Sequence, residues 1–179
     1  DVIMAFRKHG ASHLPLEQIC NAPVSRDNDK ADPAETLRAI DNLVTSGRSL
    51  DPLRLAVNQR CTIMISGGTS SGKTTVLNAM IAEIPAHERL VMIEDTPELS
   101  LTRSNSVGLL AVRGALGEAA VSANDLVTAS LRLRPDRIIL GELRGDEAYA
   151  YLRAINTGHP GSMSTIHADS PHGAVEQLA

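Results

Sequence analysis

The chain after residue 60 alternates between short apolar runs and segments in which apolar residues recur at helical spacing. Each short apolar run predicts a buried strand, and each periodic segment predicts a helix. The predicted strands are 62–66, 90–93, 109–112, 137–140 and 162–166. The predicted helices are 73–84, 122–131, 146–155 and one that starts at Pro171. Strands that alternate with helices form a mostly parallel sheet covered on both faces, so the pattern predicts an α/β fold.

The first 60 residues lack this alternation. The polar run 25–30 predicts a loop or linker. A helix is predicted from Asp32 to Gly47, and a second short helix follows Pro52. Because the chain opens without Met and ends within a predicted helix, we expect it to be part of a longer protein.

The composition excludes some classes of protein. No apolar run reaches the roughly 18 residues that a membrane span needs, and no signal peptide is visible. The net charge is −4, aromatic residues make up 2%, and there is no basic tract, so direct nucleic-acid binding is not supported. The two cysteines, Cys20 and Cys61, lack metal-ligand spacing and are expected to be thiols in a reducing cytosol.

One segment matches the phosphate-binding pattern G-x-x-x-x-G-K-[ST] at every position, between a predicted strand and a predicted helix. Its residues are Gly67, Gly68, Thr69, Ser70, Ser71, Gly72, Lys73 and Thr74. The loop amides and the helix N-terminus bind phosphate oxygens. Lys73 is expected to reach the β- and γ-phosphates, the Thr74 hydroxyl to ligate Mg²⁺, and Thr75 to lie near the α-phosphate. The motif predicts ATP and Mg²⁺ as ligands; the alternative is a glycine- and serine-rich turn that matches by chance.

Polar residues also follow three other predicted strands. Glu94 and Asp95 come after Ile93, Glu142 follows the strand 137–140, and His167 follows the strand 162–166. Ligands bind beyond the carboxyl ends of parallel strands, so these groups are expected at the edge that carries the phosphate loop. A carboxylate there can activate water or hold Mg²⁺, and a histidine can contact the γ-phosphate. The alternatives are solvated acids at strand ends, a simple turn after Asp95, and a polar loop histidine.

Several arginines are candidates for contacting nucleotide from a neighbouring subunit, and the sequence leaves the choice open. The candidates are Arg103, Arg113, Arg132, Arg134, Arg137 and Arg144. Arg132 and Arg134 lie at the end of a predicted helix, where cations also complement the helix dipole.

Four segments in this order resemble the secretion (traffic) ATPases. They are GGTSSGKTT at 67–75, IEDTPEL at 93–99, RPDRIILGELRG at 134–145 and TGHPGSMSTIHADSP at 157–171. They are similar to the Walker A, Asp box, Walker B and His box segments of that family. The last two are most similar to the ATPases of type IV secretion and conjugation systems, with Flp-pilus ATPases close behind and type II secretion and type IV pilus ATPases more distant.

The resemblance implies a RecA-like nucleotide domain preceded by a separate N-terminal domain. Residues 1–35 are then the remnant of that first domain and a linker loop, 36–60 the linker helices, and 61–179 the ATPase domain as far as the His box. It places Glu142 at the Walker B carboxylate, where with Thr74 it would hold the metal, and Glu94 at the Asp box acid. It places His159 and His167 in the His box. Gly141 stands where many P-loop enzymes carry an Mg²⁺-associated Asp, a substitution that this family shares.

The resemblance also implies a function. We expect a P-loop ATPase that powers export of protein or DNA, as a motor subunit that forms a homo-oligomer, most simply a hexamer. It would be cytoplasmic and held at the inner membrane through other components of the secretion machinery. The alternatives are a pilus-assembly ATPase, a nucleotide-dependent assembly switch with little hydrolysis, and a helicase or recombinase of RecA type.

Overall fold

The computed structural model of the chain describes residues 32–47, 50–100, 102–112 and 120–179. Its helices are α1 (Pro33–Thr45), α2 (Asp51–Asn58), α3 (Lys73–Glu83), α4 (Ala123–Ser130), α5 (Glu147–Asn156) and α6 (Pro171–Glu176). Its strands are β1 (Ile63–Gly67), β2 (Leu90–Glu94), β3 (Ser106–Leu110), β4 (Arg137–Leu143) and β5 (Met163–His167). Most of the predicted N-terminal remnant, together with Cys20 and Arg113, lies outside the described residues.

The strands form one sheet in the order β1-β5-β4-β2-β3, and every neighbouring pair is parallel. The predicted α/β fold with a parallel sheet flanked by helices is therefore confirmed. In the register of β1 with β5, Gly67 lies opposite His167. Because all the strands point the same way, their carboxyl ends meet at one edge of the sheet.

The sheet separates two apolar cores, because successive strand residues point to opposite faces. In β2, Leu90 and Met92 pack in the core formed with α2 and α3. Val91 and Ile93 pack in the core formed with α4, α5 and α6. These four side chains are at most 2% exposed, and burial of a side chain of this size contributes about 1.5–3 kcal/mol. The buried strands and the helices on both faces therefore stabilise each other.

Two strands differ from the sequence prediction. β3 begins at Ser106 rather than at 109, because its register with β2 starts at Leu90, and Val112 makes only an isolated bridge to Val121. β4 continues past 140 to Leu143, which is buried and pairs with β5 after an irregularity in the register. Glu142 consequently lies within a strand instead of after it.

A capping box lies at the start of α4. The Ser122 hydroxyl accepts a hydrogen bond from the Asp125 amide at 3.1 Å, and the Asp125 carboxylate accepts one from the Ser122 amide at 3.1 Å. These bonds satisfy amides that the first turn of a helix otherwise leaves unpaired.

A buried ion pair ties the opposite edge of the sheet together. Arg137, the first residue of β4, is fully buried and donates from Nε and Nη2 to the two carboxylate oxygens of Glu88, at 2.7 and 2.8 Å. Its Nη1 donates to the Val57 carbonyl of α2 at 2.9 Å. Burial alone raises the pKa of Glu88, but the hydrogen bonds and charge of Arg137, together with the charges of Arg60 and His87, outweigh it and lower that pKa below its ordinary value. The Arg137 side chain is therefore part of the core and cannot contact a nucleotide bound to another chain.

Arg103 also makes contacts that stabilise the fold. Its guanidinium donates to the carbonyls of Ile81, Ala82 and Pro85 at 2.9, 3.1 and 2.9 Å. Ile81 and Ala82 lie in the last turn of α3, where helix carbonyls lack amide partners four residues further on, and Pro85 lies just after the helix. Arg103 therefore closes α3, which accounts for its charge without a nucleotide contact.

No helix in the described part of the chain combines the length and apolar character that crossing a membrane requires.

We expect Glu88→Gln to lower the free energy of unfolding by about 3–5 kcal/mol at pH 7, because Arg137 then stays buried without its counter-charge. Since the pKa of Glu88 is lowered in the fold, its stabilising effect is present above the ordinary glutamate pKa of about 4.3 and is lost as the pH falls through the lower folded value. The difference in the free energy of unfolding between Glu88→Gln and the parent should therefore become smaller at acid pH. Urea unfolding of the full-length protein at several pH values measures it.

The matched control is Glu83→Gln. Glu83 pairs with Arg54 at 3.1 Å on the surface, so this change should alter the free energy of unfolding by less than about 1 kcal/mol. Equal effects of the two substitutions would contradict a stabilising role for the buried pair.

Candidate active site

A cavity of about 450 Å³ lies at the carboxyl edge of the sheet. It brings together the predicted residues Thr69, Ser70, Lys73, Thr74, Glu94, Glu142 and His167. It is also lined by Asp95, Glu98, Gly141 and Arg144, among others. Residues distant in sequence therefore meet in one place, because they lie at or beyond the carboxyl-terminal parts of parallel strands.

The phosphate loop connects β1 to α3. Gly72 adopts φ +87° immediately before the first helical residue, a conformation that glycine adopts without steric cost, and Ser70 also has positive φ. Lys73 donates from Nζ to the carbonyls of Gly67 and Gly68, at 2.9 and 2.8 Å. The ammonium group thus lies within the loop, next to the start of α3. A cation beside a helix N-terminus forms an anion-binding site.

Glu94 is the last residue of β2 and holds the turn that follows it. Its Oε1 accepts hydrogen bonds from the amides of Glu98 and Leu99, both at 2.8 Å. Gly141 on the neighbouring strand leaves room for this side chain, because a Cβ at position 141 would lie 3.3 Å from Cγ of Glu94. Glycine at position 141 therefore leaves the space that the Glu94 side chain occupies on the adjacent strand.

Arg144 joins two acids at the mouth of the cavity. Its Nε donates to Oε2 of Glu142, and its Nη1 donates to Oδ2 of Asp95 at 2.5 Å. The hydrogen bond with Glu142 raises the pKa of Arg144 above its ordinary value. Arg144 is about half exposed, whereas Glu142 is mostly covered. The arginine therefore remains cationic and links the end of β4 to the residue after β2.

Thr74 and Glu98 are in direct contact. The Thr74 hydroxyl donates to Oε2 of Glu98 at 3.0 Å. Asn78, one turn further along α3, donates to the Glu98 carbonyl at 3.2 Å and accepts from the Ser100 amide at 2.9 Å. The sequence predicted a simple turn here as one alternative and assigned no role to Glu98. The sequence does show that Glu98 is an acid inside the IEDTPEL segment. That it contacts Thr74 on α3 is visible only in the fold.

The two predicted histidines lie at opposite edges of the sheet. His167 ends β5, is exposed, and lines the cavity. His159 lies before β5, and its Nδ1 donates to the Pro135 carbonyl at 2.9 Å. Since β5 alone spans about 13 Å from Met163 to His167, His159 does not reach this cavity. The His box segment contains both histidines, but the turn at 157–162 returns the chain to the amino edge and keeps His159 away from His167.

Known proteins match this chain over nearly its whole length. A family model described as Type II/IV secretion system protein matches residues 6–179. The chain belongs to this family. The type IV secretion system protein VirB11 of Bartonella quintana is 37% identical over 190 residues, which cover 99% of this chain and 53% of that protein.

Two solved structures share the fold. The VirB11 ATPase of the Brucella suis type IV secretion system, crystallised with sulphate, is 36% identical with a TM-score of 0.79, over 96% of this chain and 50% of that one. The pilus retraction motor PilT with bound ADP is 30% identical with a TM-score of 0.54, over 66% and 34% of the two chains. The chain therefore spans about half the length of the VirB11 proteins that it matches, and its fold is that of the RecA-like secretion ATPases.

We expect Glu94→Ala to release the turn after β2, because the amides of Glu98 and Leu99 lose their common acceptor. Hydrogen exchange of these two amides should speed up in the variant, while the amides of the buried strand β2 stay protected. Glu94→Gln keeps an acceptor oxygen and serves as the control, so its exchange rates should remain close to those of the parent. Unchanged exchange in Glu94→Ala would show that Glu94 does not hold the turn.

Proposed function

We propose that this chain is the nucleotide-binding part of an ATPase that powers type IV secretion. The observation that carries the proposal is the meeting of Lys73, Thr74, Glu94 and Glu142 around one cavity at the carboxyl edge of the parallel sheet. Greater similarity to the VirB11 ATPase than to PilT favours type IV secretion over pilus assembly.

The phosphates of ATP bind along the loop 67–75. The loop amides and the N-terminus of α3 donate to phosphate oxygens. Lys73 exchanges its two loop carbonyls for β- and γ-phosphate oxygens, which lie within reach because Nζ already sits inside the loop. Binding therefore requires a local side-chain movement and leaves the sheet unchanged.

The donor set of the cavity fits Mg²⁺. Mg²⁺ prefers oxygen ligands and usually combines one or two protein groups with substrate phosphates and water. Thr74 would hold it directly, and Glu142 would hold it directly or through water. When bound, Mg²⁺ neutralises charge that develops on the transferred phosphate.

Glu142 is the proposed base for the attacking water, with Glu94 next in line. A carboxylate in hydrogen-bond reach of water can orient it and accept its proton. Arg144 occupies one oxygen of Glu142, and two amides occupy one oxygen of Glu94. Each acid thus has one oxygen held in place, which fixes the orientation of the other. His167 lies opposite Gly67 in the sheet. This position supports our inference that His167 contacts the γ-phosphate and responds to its loss.

The proposed assembly follows from the family resemblance. We infer a homo-oligomer, most simply a hexamer, held at the inner membrane by other secretion components, with nucleotide between domains. Residues 1–35, 36–60 and 61–179 remain our proposed division into N-terminal remnant, linker helices and ATPase domain. Among the exposed candidates for an arginine acting on a neighbouring site, Arg132 and Arg134 lie before β4, at the amino edge.

Lys73→Ala should abolish ATP hydrolysis and weaken nucleotide binding at least tenfold, because the loop loses its only side-chain cation while its backbone is retained. Steady-state phosphate release and equilibrium nucleotide binding by the full-length protein measure both effects. Arg54→Ala, which removes an exposed cation paired with Glu83, is the control and should hydrolyse ATP normally. ATP hydrolysis at the parental rate by Lys73→Ala would contradict the assignment of the phosphate loop.

Glu142→Gln should bind Mg·ATP but lower turnover by about 10²–10⁴-fold, the usual contribution of a general base. Oligomer mass should be measured in parallel, so that lost assembly is not mistaken for lost chemistry. Turnover at the parental rate would move the catalytic role to Glu94. Tight ATP binding without turnover by the parent oligomer would instead favour the assembly switch.

A further inference from the structure

Several basic residues lie at the amino edge of the sheet, away from the candidate active site. Arg132 belongs to the short 3₁₀ turn after α4, Arg134 follows that turn, and Arg153 lies in the last turn of α5. All three residues are exposed, and none of them forms an ion pair or a hydrogen bond with another described residue. Within the described part of the chain, their guanidinium groups are therefore available to a partner.

The fold places these residues on one side of the molecule. α4 and α5 pack against each other, and both end at the amino edge, because α4 leads into the start of β4 and α5 into the start of β5. The segments that follow the two helices are joined where Nδ1 of His159 donates to the Pro135 carbonyl at 2.9 Å. We call the group formed by Arg132, Arg134, Arg153 and His159 the arginine face.

Local structure does not account for the whole arginine face. A cation in the last turn of a helix complements the helix dipole, which explains Arg153. Arg134 lies beyond its helix and adopts φ +53°, a conformation that is strained for a residue with a side chain and unstrained for glycine. The backbone at this position therefore gives no reason for an arginine.

Neighbouring acids do not neutralise the arginine face. Asp136 accepts a hydrogen bond from the Arg89 amide at 2.7 Å, and Glu88 is buried in its pair with Arg137. The face thus keeps three positive charges, although the chain as a whole has a net charge of −4. This separation of charge indicates that the face attracts an anionic partner.

The surroundings of the arginine face favour a short acidic segment of a protein over a long polyanion. DNA or an anionic membrane would extend beyond the face and meet a chain that is negative overall. Tyr149, one turn before Arg153, is 76% exposed, and Leu131, next to Arg132, is 40% exposed. Tyrosine and arginine are enriched where proteins contact each other, and arginine binds carboxylates through two parallel hydrogen bonds.

We propose that the arginine face binds a short acidic segment of a partner protein. Aspartate or glutamate carboxylates of that segment pair with the three guanidinium groups, and an apolar side chain packs on Leu131. The inference goes beyond the proposed function, because it requires no nucleotide at the loop 67–75. Since the ion pairs are exposed, added salt should weaken the binding.

The test measures, by fluorescence anisotropy, the affinity of the full-length protein for a labelled glutamate-rich peptide, with a lysine-rich peptide of equal length for comparison. Arg134→Gln combined with Arg153→Gln should weaken binding of the glutamate-rich peptide by about 2–30-fold, because each exposed ion pair changes affinity by about 1.4–5-fold. Arg38→Gln combined with Arg54→Gln removes the same charge from exposed positions on α1 and α2, and its affinity should stay close to that of the parent.

Charge reversal shows whether the effect is electrostatic. Arg134→Glu combined with Arg153→Glu should abolish binding of the glutamate-rich peptide and strengthen binding of the lysine-rich peptide, a gain that unfolding cannot produce. Equal losses in the two double-glutamine variants, or no binding of the glutamate-rich peptide by the parent, would overturn the proposal. Binding of single-stranded DNA or phosphatidylserine vesicles through these arginines, in place of the peptide, would overturn it as well.

Discussion

Parallel pairing of the strands places the carboxyl ends of β1, β2, β4 and β5 along a single edge of the sheet. The backbone hydrogen bonds that fix this register also bring Gly67 beside His167 and the phosphate loop close to the acids on β2 and β4. A parallel strand can be continued only after a crossover, so the polar residues needed for chemistry lie at the carboxyl ends of the strands and in the segments that follow them. The location of the site thus follows from strand direction, and the two apolar cores stabilise the sheet that carries it.

Within that edge, side chains connect one strand end to the next. Glu94 holds the turn after β2, Arg144 joins Glu142 to Asp95, and Thr74 meets Glu98 across the cavity. These contacts couple the phosphate loop to the acids proposed to act on water and metal. The buried pair of Arg137 with Glu88 performs a different task at the opposite edge, where it joins α2 to the sheet. Partly exposed polar contacts therefore lie at the candidate site, and a buried ion pair lies at the opposite edge of the sheet.

The α/β fold and the main members of the candidate site follow from local pattern, because a buried parallel strand is a short apolar run and the loop motif is contiguous. What local pattern misses depends on partners distant in sequence. Glu142 lies inside β4 because Leu143 pairs with β5, and Arg137 is buried because Glu88 meets it. His159 is drawn to the amino edge by the return of the chain before β5, although its motif groups it with His167. The contact of Glu98 with Thr74 on α3 likewise depends on the fold and not on local sequence.

The central claim is that the edge formed by these strand ends is the site where Mg·ATP is bound and hydrolysed. The most direct measurement is the structure of the full-length protein with Mg²⁺ and a non-hydrolysable ATP analogue. The account predicts a triphosphate along the loop 67–75, with the cation between its β- and γ-phosphates and Thr74, and with Glu142 facing the terminal phosphate. A nucleotide bound elsewhere, or a triphosphate in the loop with Glu94 and Glu142 both turned away from it, would contradict the account.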